Sequence, residues 1–133
     1  MDAGLRTLVR KRAEQRCEYY RLPQLAASFF AFHIEHIVAR QHGGDDNSEN
    51  LALACPDCNR YKGPNLTSID PQTNEIVRLF DPRKNNWEEQ FELQGPLIVG
   101  CTPTGRATVR LLNMNEHDRL DMRSELIEDE LYP

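Results

Sequence analysis

Within residues 33–63, HIEHIVARQHGGDDNSENLALACPDCNRYKG, a carboxylate and an imidazole stand side by side at Glu35 and His36. Asn50 lies fourteen residues after His36, and Asn59 directly follows Cys55-x-x-Cys58. These are the parts of a metal-assisted phosphodiesterase. Such chemistry needs a general base with a pKa near neutrality, for which histidine is the usual choice. It also needs charge neutralised on the phosphorane and the departing oxygen, which a divalent cation does as a Lewis acid. Glu35 offers one oxygen ligand, and Asn59 a second from the start of a helix. Oxygen ligands with several retained waters favour Mg2+ or Mn2+ over Zn2+ there.

Other side chains in the stretch have two readings each. His33 lies two residues before Glu35 and so on the same strand face, either near the metal and phosphate or as a packed, hydrogen-bonded histidine. Lys62, one turn after Asn59, either contacts a phosphate or is simply solvated. Cys55 and Cys58 have metal-ligand spacing, whereas Cys101 reads as a strand thiol without a metal role. Trp87 and Phe91, four residues apart, read as core. His42 and His117 are expected to do no chemistry.

The elements that must position these groups are legible in outline. Residues 4–16 carry Leu5, Leu8 and Val9 at helical spacing and predict an amphipathic helix with a basic outer face. Residues 29–38 (FFAFHIEHIV) predict a strand, residues 41–50 a turn-rich loop, and residues 51–54 a short apolar strand. Pro56 suits the first turn of a helix that Gly63-Pro64 ends. Three further strands are predicted at 75–80, 96–101 and 106–112, with Thr102-Pro-Thr-Gly105 as the turn between the last two. Residues 115–131 predict a helix that Asn115 caps. The order is α+β, and without a repeat or linker it predicts one domain over 1–133.

Composition limits the setting. Hydrophobic residues make up 39% and charged residues 28%, which suits a soluble globular protein. No apolar run is long enough to span a bilayer. The N-terminal stretch lacks an apolar core of the secretory type, so a cytoplasmic protein is expected, where cysteines favour metal binding over disulfides. The formal net charge of −5 arises in the last 21 residues, which hold 2 basic and 7 acidic groups. Residues 1–112 balance at 14 of each, and the first 21 hold six Arg/Lys against three acids. Overall acidity therefore does not exclude DNA, though it implies weak non-specific affinity.

Glu35-His36, Gly43-Gly44, Asn50-Leu51 and Cys55-x-x-Cys58-Asn59-x-x-Lys62 together resemble the HNH endonucleases. The resemblance is strongest over about 30–66, and Cys17-Glu-Tyr and Gly105-Arg-Ala-Thr-Val109 extend it more weakly over most of the chain. It implies a ββα-metal core, here with an N-terminal helix, extra C-terminal strands and a C-terminal helix. It also implies roles: Glu35 holds the catalytic cation, His36 activates water, Asn50 braces the loop that fixes the histidine, and Asn59 is the second metal ligand. DNA is the implied substrate, cut to leave 5′-phosphate ends.

One departure concerns zinc. Relatives with the Cys55-x-x-Cys58 pair usually carry a second pair upstream, so that four thiolates hold a structural Zn2+. Here the upstream pair reads Cys17-Glu-Tyr-Tyr20, and tyrosine is a poor zinc ligand at neutral pH. Three arrangements fit: Zn2+ on Cys17, Cys55 and Cys58 with another ligand, an empty site filled by the Tyr20 ring, or weak, reversible binding. Two alternatives to the nuclease follow. One is a non-catalytic, zinc-ribbon-like module that binds nucleic acid or protein on the same scaffold. The other is a nuclease that needs a protein partner, docked by the acidic C-terminal helix, or a homodimer to cut both strands.

Overall fold

Asp2 starts the first helix, α1 (Ala3–Arg12), by accepting the Leu5 N–H on its Oδ1 at 2.7 Å. The computed structural model describes residues 1–133, which form two compact units, Met1–Pro64 and Asn65–Pro133. In the first unit α1 stops short of the expected residue 16, because Glu14 and Gln15 take left-handed conformations (φ 56° and 57°). Its arginines tie it to the sheet: Arg10 donates to Phe32 O at 3.0 Å, and Arg12 to Leu51 O at 2.7 Å. β1 (His33–His36) and β2 (Leu51–Ala54) pair antiparallel, with Glu35 opposite Ala52 and His36 opposite Leu51. All four residues of β2 are buried.

β1 is shorter than the strand expected over 29–38. His33 pairs with Ala54, the last residue of β2, beyond which Cys55 and Pro56 turn the chain into α2 (Pro56–Lys62). Residues 29–32 therefore have no strand to pair with. On its other edge β2 meets Glu18, whose N–H donates to Leu53 O at 2.8 Å and whose Oε2 accepts the Leu53 N–H at 2.8 Å. The loop from β1 to β2 holds two short 3-10 turns, Arg40–His42 and Ser48–Asn50. At Gly44 a Cβ would fall 1.7 Å from Val38 O, so only glycine lets the loop fold back so closely. The expected ββα core is present, with α2 packed on both strands.

The second unit contains two hairpins, β3 (Thr67–Ile69) with β4 (Ile76–Arg78), and β5 (Phe91–Gln94) with β6 (Leu97–Gly100). A short helix, α3 (Trp87–Gln90), precedes β5. Trp87 and Phe91 are buried as expected, with ring centroids 4.9 Å apart. The strand expected at 106–112 is instead the helix α4 (Pro103–Leu111). Thr102 is its N-cap, accepting the Gly105 N–H at 3.0 Å, and Pro103 opens its first turn. Gly105 and Gly100 let α4 lie on β6: a Cβ on Gly105 would stand 2.1 Å from Gln90 O, and one on Gly100 2.3 Å from Arg106 N.

The C-terminal helix, α5 (His117–Glu128), is not capped by Asn115. The Asn115 amide instead pairs with both backbone groups of Ile98, at 2.8 and 3.0 Å, and closes the end of β6. α5 buries Arg119, Arg123 and Leu126, and the two arginines donate to carbonyls at the end of α4, Leu112 O at 2.6 Å and Met114 O at 3.0 Å. Asp70, fully buried, accepts Arg106 Nε at 2.9 Å and a second guanidinium nitrogen at 2.8 Å, fastening the β3–β4 turn to α4.

Candidate active site

Glu35 and His36 are the last two residues of β1, the first buried and the second half-buried where the strand meets the loop. Glu35 is 6% exposed and faces α2. The Tyr19 hydroxyl donates to its Oε1, and Lys62 Nζ lies 3.6 Å from the same oxygen. Lys62 is therefore not solvated. It is 2% exposed, and its ammonium also donates to Ile37 O at 3.0 Å. Burial pushes the Glu35 pKa up, against the pull of Lys62, Tyr19 and His36. Both donors approach Oε1.

Asn59 sits three residues before Lys62 on α2, on the helix face that meets β1. It is half-buried, its backbone N–H donates to Cys55 O at 3.0 Å, and its amide group makes no hydrogen bond. A carboxylate and an amide are hard donors, which suits a cation such as Mg2+ or Mn2+ and not a thiophilic one.

His36 is half-buried at the mouth of the loop, and its Nε2 lies 2.8 Å from Asp46 Oδ1. Arg40 donates to that same oxygen at 2.8 Å. Hydrogen bonding to His36, and then the Arg40 guanidinium, holds the Asp46 carboxyl below its usual range. The loop carrying Asp46 is fastened by Asn50. The Asn50 Oδ1 accepts the Val38 N–H at 2.9 Å, and its Nδ2 donates to Val38 O at 3.0 Å and Asp45 O at 2.9 Å. One side chain thus joins the exit of β1 to the stretch that presents Asp46. His33 is exposed at the other end of β1.

Cys17, Cys55 and Cys58 converge with their sulfurs within 4.8 Å of one another, all buried. The Cys58 N–H points at Cys55 Sγ (3.5 Å) and the Tyr20 N–H at Cys17 Sγ (3.4 Å), backbone donors that suit thiolates. Burial, with the neighbouring Cys55, pushes the Cys17 thiol up to about 12, and burial raises Cys58 as well. A bound metal would displace the protons of such thiols. Three sulfur ligands therefore fit a zinc ion, and the buried Tyr20 stands where a fourth cysteine was expected. Cys101 is exposed just beyond β6.

Glu35 and Lys62 thus come together against α2, which also carries Asn59, and His36, Asp46 and Asn50 gather at the exit of β1 and its loop. Two participants were not singled out from sequence, Tyr19 and Asp46. Tyr19 has a weak signal, since it lies in the same short turn as Cys17, which α2's cysteines anchor. Asp46 has none, because it is one of several turn-forming residues in QHGGDDNSEN. The HNH endonuclease family model matches residues 23–65. No curated protein and no solved structure matches the chain.

Proposed function

Residues 23–65 being an HNH endonuclease-family segment, we propose that the protein hydrolyses DNA phosphodiester bonds with His36 as the general base. The observation that carries this reading is the Asn50 brace, three hydrogen bonds that hold β1's exit and the Asp46 stretch around the imidazole. With Nε2–H donated to Asp46, the Nδ1 of His36 is the nitrogen left to take a proton from water. Asp46 keeps that tautomer and stabilises the imidazolium that results. Glu35 and Asn59 would hold Mg2+ or Mn2+, which supplies Lewis-acid stabilisation of charge on the phosphoryl and leaving oxygens. Tyr19 and Lys62 fix the orientation of the Glu35 carboxylate through its Oε1.

Zn2+ on Cys17, Cys55 and Cys58 would be structural, stapling the turn after α1 to the start of α2. A non-catalytic binding module on the same scaffold draws support from the missing fourth cysteine. The test that separates the two is incubation of supercoiled plasmid with the protein in Mg2+, Mn2+ or EDTA, beside His36→Ala. Metal-dependent nicking or linearisation, lost in the variant, is the expected result. A folded protein that leaves the plasmid intact with every metal would instead favour the binding module. A nicked product would fit a monomer, and a linear one a homodimer or a partnered form. No helix is long and apolar enough to cross a membrane.

A further inference from the structure

The segment leading into β1 exposes two adjacent aromatic rings. Phe29 is 94% exposed and Phe30 66%, and Leu25 on the same segment is 66% exposed. Hydrophobic rings presented this fully are unusual in a unit that buries Phe32, Tyr19 and Tyr20 to 1%. Nor is the segment a loose tail. The Gln24 side chain donates to Ala27 O at 3.2 Å and Phe30 O at 2.8 Å, and accepts the Phe32 N–H at 3.0 Å. The Phe30 N–H closes the turn on Ala27 O at 3.1 Å. One buttressing side chain thus holds a short turn whose tip is two phenyl rings.

The surroundings are cationic. A cleft of about 670 Å3 behind this turn is lined by Arg10, Arg16, Gln24 and Leu25, with Glu14 the one acid. Residues 1–31 carry six Arg/Lys against three acids. Arginines beside exposed aromatic rings on a held turn are a combination that binds unpaired nucleic acid: cations follow the phosphates and rings stack on bases. A second copy of the chain fits less well. Two phenyl rings and a leucine offer roughly 500 Å2, taking about 150–250 Å2 for each aromatic ring. A stable pair needs about 800 Å2 from each partner.

We infer that Phe29 and Phe30 form a stacking wedge for unpaired or unstacked bases, so that this protein prefers DNA with a single-stranded or distorted segment. The inference rests on the DNA-cleaving reading and names its substrate class. Six residues separate Phe30 from His36. At 3.3–3.6 Å per residue the wedge lies within about 20 Å of the imidazole, which is no more than about six base steps at 3.4 Å each.

The test is fluorescence anisotropy with the full chain in EDTA. The probes are a labelled single strand, a duplex with a two-base mismatch and a fully paired duplex of the same length. Phe29→Ala/Phe30→Ala should weaken binding to the first two by about ten- to a hundredfold. It should change the paired duplex far less and leave the melting temperature unaltered, since both rings are exposed. Phe29→Trp/Phe30→Trp should retain the affinity, and 2-aminopurine at the mismatch should report stacking with the wild type only. Equal binding by the alanine pair would overturn the inference. So would full retention by Phe29→Leu/Phe30→Leu, which keeps apolar area but not stacking. A wild-type dimer that the alanine pair turns into a monomer would overturn it too, making the patch a contact between copies. The plasmid assay keeps the two readings apart. Cleavage with an unaffected alanine pair removes the wedge alone, and wedge-dependent binding without cleavage removes the nuclease alone.

Discussion

Replacing Lys62 with Met keeps most of the side-chain volume and removes the only ammonium that faces Glu35. In the folded protein Lys62 and Glu35 are 3% and 5% exposed in their side chains, 3.6 Å apart. Removing one member of such a pair leaves an uncompensated buried charge, at about 3–5 kcal/mol. That is a loss of about two to three and a half powers of ten in the folded-to-unfolded ratio. The pH dependence has a definite sign. Burial raises the Glu35 pKa above its unfolded value, so its contribution is fully present below the unfolded pKa of about 4.3 and lost as pH rises through the folded one. Without Lys62 the folded pKa climbs further, so the gap between variant and wild type should widen from pH 5 to pH 8. Urea unfolding followed by circular dichroism at both pH values measures it. Glu35→Gln in the Lys62→Met background should remove the pH-dependent part, leaving the smaller loss of the bond to Ile37 O. A penalty below about 1 kcal/mol at pH 8, or one identical at both pH values, would refute the reasoning.

Three further outcomes are expected. Asn50→Ala removes three hydrogen bonds at about 1 kcal/mol each, so unfolding should become about 2–4 kcal/mol easier and the Val38 amide should exchange with solvent much faster. Unchanged protection at Val38 would deny Asn50 its bracing role. The purified protein should carry about one zinc ion per chain, measured by elemental analysis, and Cys17→Ser should lose it. Asp70 accepts two Arg106 nitrogens, which hold its carboxyl well below the usual range. Its stabilising effect is present above the unfolded pKa of about 3.9 and lost as pH falls through the folded one. Arg106→Met should therefore flatten the acid limb of the stability profile, and an unaltered limb would rule the pair out as its source.

How much of this was legible in the sequence depends on where the information sits. The ββα core could be read because its signals are local: turn residues between two apolar runs, Pro56 at a helix start, and Cys55-x-x-Cys58 as a knuckle. α4 could not, because the β-branched Thr108 and Val109 favour a strand when read locally. What decides for the helix is the N-cap Thr102 with Pro103, and the small Gly105 against Gln90 O. The same Thr-Pro-Thr-Gly run serves a turn equally well. In α5 the buried positions are Arg119, Arg123 and Leu126. Apolar periodicity gives the helix expected over 115–131 but not its buried side, where guanidinium groups reach carbonyls such as those of Leu112 and Met114. Lys62 is the same lesson at the site. Its burial depends on Glu35, 27 residues away in sequence, and no local pattern announces it. The left-handed Glu14 and Gln15 that shorten α1 also lie outside what helical periodicity can show.

The contact between Glu18 and Leu53 has a consequence beyond the packing of one turn. A two-stranded hairpin offers its outer N–H and C=O groups to any extended peptide that comes by, and such edges are where protein molecules zip together into aggregates. On the β2 side a single residue takes both groups of Leu53, backbone for the carbonyl and carboxylate for the amide, while Arg12 takes Leu51 O. Glu18 acts as a one-residue false strand whose negative charge also repels a would-be template. The smallest of sheets is thereby protected on that side from pairing with a neighbour, at the cost of one glutamate in the turn that also carries Cys17 and Tyr19.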